Sequence, residues 1–283
     1  MRSLQKDLTG DPDVTKHSLS RSCEPLERSL RRRQSRHDIV TKVLVGAILL
    51  GLWQVVVELF AADFVARPSR VIPQIPTVLS DQSFWRAAEA TIGAFALGMV
   101  IALIAGTFLG LLIGLIRPVD HATRFYLNGS YAMPIIAIVP LVTLWFGYSS
   151  QSRLIIIVFA AIVPIVYNVA EGARSIPREY IDTSQAYRAK WWTVWFGTAL
   201  PSSLPYVLAA INLAAGRALV GAIVAEYLTA VEGLGFYILT KSRSFEQDAA
   251  IVAVLVLAGT GTLLFVLTRV VERRVFPWYR RGH

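Results

Sequence analysis

The chain has 283 residues, 54% hydrophobic and 17% charged, with a mean hydropathy of +0.52. Soluble domains carry about 25% charged residues, so this balance excludes an ordinary soluble protein. The net charge of +9 follows from how Lys and Arg are distributed around apolar runs, and no nucleic-acid partner is expected.

Residues 1–38 are polar and basic, carry Arg31-Arg32-Arg33 and the single cysteine, Cys23, and read as a disordered tail. One cysteine allows no internal disulfide. The first apolar run begins near Ile39, and no small-residue cleavage site closes it, so a signal peptide is not expected. Six apolar runs follow, at about 40–62, 89–116, 125–147, 154–171, 204–227 and 249–271. Each approaches the roughly 20 residues that cross a 30 Å hydrocarbon core. The expectation is an all-α integral membrane protein, a six-transmembrane-helix bundle over residues 39–275, ending in a short tail at 276–283.

Lys and Arg concentrate in cytoplasmic segments. With the N-terminus inside, 21 fall on the inner side and six on the outer, with Arg217 inside a span. Both termini and the loop 172–203 are therefore expected in the cytoplasm of a prokaryotic inner membrane. Arg153 counts among the outer residues.

The second run carries Gly106, Gly110 and Gly114. Small residues four apart line one helical face and admit a neighbouring backbone. Asn128, Asn168 and Asn212 lie within spans and are either structural hydrogen-bond partners or lining of a water-filled path. Arg217 lies about 20 Å into the fifth span. It either answers an anionic solute or pairs with a carboxylate or backbone carbonyls. Glu58, Glu89, Glu171 and Glu226 all fall near span ends, Glu226 at an interfacial position.

No phosphate-binding G-x-x-x-x-G-K-[ST], H-E-x-x-H or C-x-x-C occurs, so neither enzymatic activity nor a metal site is expected. The pattern is a pore without an engine. Ion-coupled carriers place carboxylates at the midplane. Their absence from the middle of any run favours an external motor, with an ion-coupled carrier or another kind of membrane subunit as the alternatives.

The loop 172–203 is polar, basic and Trp-rich. Ser175, Pro177 and Glu179 resemble a helix start, with a short helix to about Tyr187. A second stretch, Lys190 to Phe196, follows, and Gly197 and Leu200-Pro201 punctuate the entry to the fifth span. Trp191 and Trp192 suit the membrane interface. The helix around Asp182 is the better docking surface.

This loop resembles the Glu-Ala-Ala motif of ABC-importer membrane subunits, the binding-protein-dependent transport permeases. The matching positions are Asp182, Thr183, Ser184, Arg188, Thr198, Leu200 and Pro201. Arg188 replaces a glycine that permits a left-handed bend, at a cost of roughly 1 kcal/mol for a β-carbon. Ala66-Arg67-Pro68-Ser69, Thr91-Ile92-Gly93, Gly216-Arg217-Ala218 and Gly233-Leu234-Gly235 are similar to the nitrate, sulfonate and taurine branch. The resemblance implies a type I importer fold with a cytoplasmic coupling helix and two copies of this chain around one path. It also implies two ATPase subunits, which bind ATP and Mg²⁺ while this chain holds no cofactor, and an extracytoplasmic solute-binding protein that delivers a small anionic solute.

Overall fold

The computed structural model describes residues 41, 42, 44–60 and 65–275; the expected tails, 1–38 and 276–283, lie outside the described residues. The chain divides into two units, Met1–Ser69 and Arg70–His283. In the first, an apolar helix α1 (Leu44–Phe60) occupies the first expected span. Its side chains are largely exposed, Leu59 and Phe60 most of all.

The second unit is entirely helical among the described residues. Helix α2 (Pro68–Ser80) leads to α3 (Gln82–Leu115), α4 (Arg117–Ala132), α5 (Val139–Phe146) and α6 (Ser150–Arg174). Then come α7 (Arg178–Ala186), a short α8 (Trp191–Val194), α9 (Leu200–Thr229), α10 (Leu234–Arg243) and α11 (Gln247–Val275). Among the described residues, four helical segments are long and apolar enough to cross a membrane, or five if the bent α4–α5 pair counts as one.

Three helices make the core, and their sequences dictate how. On α3, Gly98, Ala102, Gly106, Gly110 and Gly114 repeat every four residues along one stripe. Against it, α6 presents Ile157, Ile165, Val169 and Ala173, separated by multiples of four residues. A β-carbon at Gly110 would lie 2.6 Å from Val169 Cβ, and one at Gly114 2.6 Å from the Ala170 carbonyl oxygen. The helices touch backbone to side chain, as small residues permit in lipid. On α9, Ala210, Ala214, Ala218 and Ala222 are fully buried at the same interval. Contacts advance together along α3 and α6, so these helices run parallel. Gly172 meets Tyr206 and Gly221 meets Ala160, so α9 runs antiparallel to α6.

Parallel α3 and α6 require the chain to return between them, and α4 and α5 make that return. The expected continuous span 125–147 is broken: the pair bends by 93° at Met133-Pro134. Pro134 cannot donate to a helical ladder, and it pushes Met133 into the extended region (ψ 129°).

The loop 172–203 also differs from expectation. Ser175 closes α6, its hydroxyl donating to the Gly172 carbonyl at 2.8 Å, and does not cap α7. The second short helix is not separate. A π-helical turn at Trp195–Ala199 joins α8 to α9, making one apolar segment of 39 residues, Trp191–Thr229. Leu200 N–H reaches back to the Trp195 carbonyl. Pro201, in the first turn of α9, therefore sits inside a continuous rod and does not end one.

Candidate functional site

Four groups of polar side chains interrupt the apolar bundle. The first was not anticipated as a site. Glu226, near the end of α9, is fully buried inside the protein. Arg153, assigned above to an outer segment, lies in the first turn of α6 with 8% of its surface exposed. Its Nη1 donates to Glu226 Oε1 at 3.3 Å and to the Glu232 carbonyl at 2.6 Å. Thr91 on α3 donates to Glu226 at 2.8 Å and accepts the Leu234 N–H at 2.7 Å. Gly235 N–H donates to Glu226 Oε2 at 2.9 Å. The knot explains Gly233-Leu234-Gly235 physically. A β-carbon at Gly233 would collide with the Glu226 carboxyl group, and one at Gly235 would lie 2.7 Å from the Ile223 carbonyl oxygen. The sequence signal was the two glycines following an acid at the end of an apolar run; burial of the acid was not visible there.

The second group surrounds Arg217. Its guanidinium carbon lies 4.2 Å from the centroid of the Tyr131 ring, and its Nη1 donates to the Tyr131 carbonyl at 3.2 Å. The Tyr131 and Tyr167 rings are 5.3 Å apart. Among the described residues, Arg217 therefore has a backbone carbonyl and a π face as partners and no carboxylate. Asn128, one turn before Tyr131, lines a cavity of about 260 Å³ between α4 and α6 with Arg124, Leu127, Tyr167, Glu171 and Arg174.

The other two asparagines do not join this seam. Asn168 donates to the Pro164 carbonyl at 2.8 Å, within its own helix. Asn212 sits between α9 and α11, where Thr268 Oγ1 donates to its Oδ1. Of the four expected path residues, Asn128 and Arg217 alone are linked along α4: Arg217 rests on Tyr131, one turn from Asn128 in sequence.

The last group is the loop. Ile176 is buried and Ile181 half-buried against the three-helix core. They seat α7 while Asp182 and Thr183 remain exposed and Ser184 half-exposed. Thr183 and Ser184 return their hydroxyls to the carbonyls of Glu179 and Tyr180, so they present no free donor of their own. Arg188 has φ +50°. The left-handed bend that the sequence put in question is kept with a β-carbon in it. The Ala189 N–H closes the turn on the Ser184 carbonyl at 2.9 Å.

The family described as the binding-protein-dependent transport system inner membrane component matches residues 98–277. The chain is 27% identical to the formylaminopyrimidine transport permease protein of Halalkalibacterium halodurans, over 87% of this chain and 98% of that protein. It is also 27% identical to a transport permease protein of Bacillus subtilis named for aliphatic sulfonates, over 87% of this chain and 90% of that one. These relatives are transport permeases and not enzymes. Among solved structures, a chain of a bacterial alginate ABC transporter, crystallised with its alginate-bound periplasmic protein, matches with a TM-score of 0.61 at 15% identity. The match covers 89% of this chain and 97% of that chain, and the likeness is one of fold.

Proposed function

This chain belongs to the binding-protein-dependent transport system inner membrane component family, and from that membership we propose a specific role within an ATP-driven importer. It forms, with a second copy of itself, the path for a small solute bearing an anionic group, handed over by an extracytoplasmic binding protein. Two ATPase subunits, which bind ATP and Mg²⁺, drive it from the cytoplasm. The termini and α7 face the cytoplasm, on the side where Lys and Arg accumulate.

One observation carries the coupling role. Helix α7 is anchored by Ile176 and Ile181 to the core of α3, α6 and α9, yet it exposes Asp182. A partner that grips the exposed face moves a lever tied to the path. ATP binding by that partner can then bias two arrangements of the bundle. The Arg217–Tyr131 contact supports an anionic group on the solute, since Arg217 spends only one hydrogen bond on the protein among the described residues.

The test is Asp182→Lys in the full complex reconstituted in vesicles. ATP-driven uptake is expected to fall at least tenfold while the chain stays in the membrane at its normal level. Uptake at the unaltered rate removes Asp182 from the docking surface.

A further inference from the structure

The cavity between α4 and α6 carries Arg124 on its α4 wall and both Glu171 and Arg174 on its α6 wall. Arg124, Asn128 and Tyr131 stand at i, i+4 and i+7 on α4; Tyr167, Glu171 and Arg174 repeat that spacing on α6. The two faces meet in opposite directions. Tyr131 packs on Tyr167 at one end, and Arg174 pairs with Asp120 at the other. An aromatic pair and an ion pair thus bound a compartment of about 260 Å³.

The polar groups inside are incompletely used. Arg124 is exposed and has no ion-pair or hydrogen-bond partner among the described residues, and neither the Asn128 amide nor the Tyr167 hydroxyl has a hydrogen-bond partner there. Arg174 gives Nη1 to Glu171 Oε1 at 2.6 Å and Nη2 to Asp120, and its Nε is buried without an acceptor. Glu171 keeps Oε2 free and its side chain is 43% exposed. A lone cation with an amide donor on one wall faces a half-used carboxylate on the other.

A simple anion satisfies Arg124 but meets repulsion from Glu171, which Arg174 shares with Asp120. A simple cation has the reverse difficulty. A molecule with both charges satisfies both walls. We propose that this cavity binds a small zwitterion, its acid group on Arg124 and Asn128 and its amine on Glu171. The volume suits a solute of a few heavy atoms, below the 300 Å³ or more of drug-sized pockets. As a station on the transport path the site rests on the importer reading; binding itself does not.

Calorimetric titration of the full-length chain in phosphatidylcholine nanodiscs tests it, with β-alanine as the probe and propionate and propylamine as its half-molecules. β-Alanine is expected to bind saturably, at least tenfold tighter than either half. Arg124→Gln is expected to weaken β-alanine about tenfold, the effect of one lost charge-assisted bond. Glu171→Gln is expected to erase the advantage of β-alanine over propionate while propionate still binds, which also shows that the variant is folded. Absence of saturable binding, equal affinity for propionate, or an unchanged Arg124→Gln variant overturns the proposal. Loss of β-alanine binding when phosphatidylethanolamine replaces phosphatidylcholine makes a lipid headgroup the occupant and overturns it as well. ATP-driven uptake by the reconstituted complex, measured separately, tests the importer reading whatever the titration gives.

Discussion

Arg153 and Glu226 lie 73 residues apart in sequence and meet at 3.3 Å inside the protein, joining the start of α6 to the end of α9. Two charges buried at this depth persist because each is held by the other and by further polar partners. Thr91, the Gly235 N–H and the Glu232 carbonyl complete the set. The knot therefore ties α3, α6, α9 and the turn into α10 at one end of the bundle.

Removing one partner leaves the other uncompensated. Glu226→Ala is expected to destabilise the protein by about 3–5 kcal/mol, read as a lower melting temperature and lower folded yield in detergent. Pairing it with Arg153→Ala recovers part of the loss in a double-mutant cycle. Strictly additive losses from the two substitutions contradict this account.

The glycine stripe makes a graded prediction. At Gly106 the nearest obstacles to a β-carbon are side-chain atoms of Ile165, Cγ2 at 2.8 Å and Cβ at 3.0 Å. At Gly114 the obstacles include the Ala170 carbonyl oxygen, which is backbone and cannot shift alone. Gly114→Ala is expected to cost about 1–3 kcal/mol and Gly106→Ala less. Thermal melts of the two purified variants decide the order.

Arg188 holds a left-handed conformation that costs an L-residue roughly 1–2 kcal/mol. Arg188→Gly is expected to raise stability by up to about 1 kcal/mol, part of the relief being offset by a looser unfolded chain. Arg188→Val, with a branched β-carbon, is expected to lower it. Hydrogen exchange of the Ala189 amide, which closes that turn, reports both.

Asp81 caps α3. The Ser83 hydroxyl at 2.7 Å and backbone N–H at 2.8 Å donate to it and hold its carboxyl below the usual carboxylate range. A depressed native pKa contributes stability above the unfolded value of about 3.8, and that contribution is lost as pH falls through the lower native value. Asp81→Ala is expected to cost about 1 kcal/mol at neutral pH, and the gap to the wild type to narrow in acid below pH 3.8. A gap that stays constant across that range shows that the charge plays no part.

What one strand of text could determine here was whatever depends on local pattern. Long apolar runs dictate membrane helices because backbone groups in lipid must be satisfied within the helix. Four-residue spacing of Gly106, Gly110 and Gly114 marks a packing face for the same local reason. The resemblance around Asp182 and Leu200-Pro201 pointed to the family. The tertiary structure alone decided what depends on groups far apart in sequence. Glu226 and Arg153 each read as a lone charge near the end of an apolar run; only their mutual approach in the fold shows that both are buried. The path residues could not be sorted either. Arg217 packs on Tyr131, one turn from Asn128 on α4, whereas Asn168 turns to its own helix and Asn212 to α11, and nothing in their spacing distinguishes them. Pro201 suggested a break, but the π turn before it lets the helix continue. A proline's effect depends on which carbonyl its missing N–H would have served.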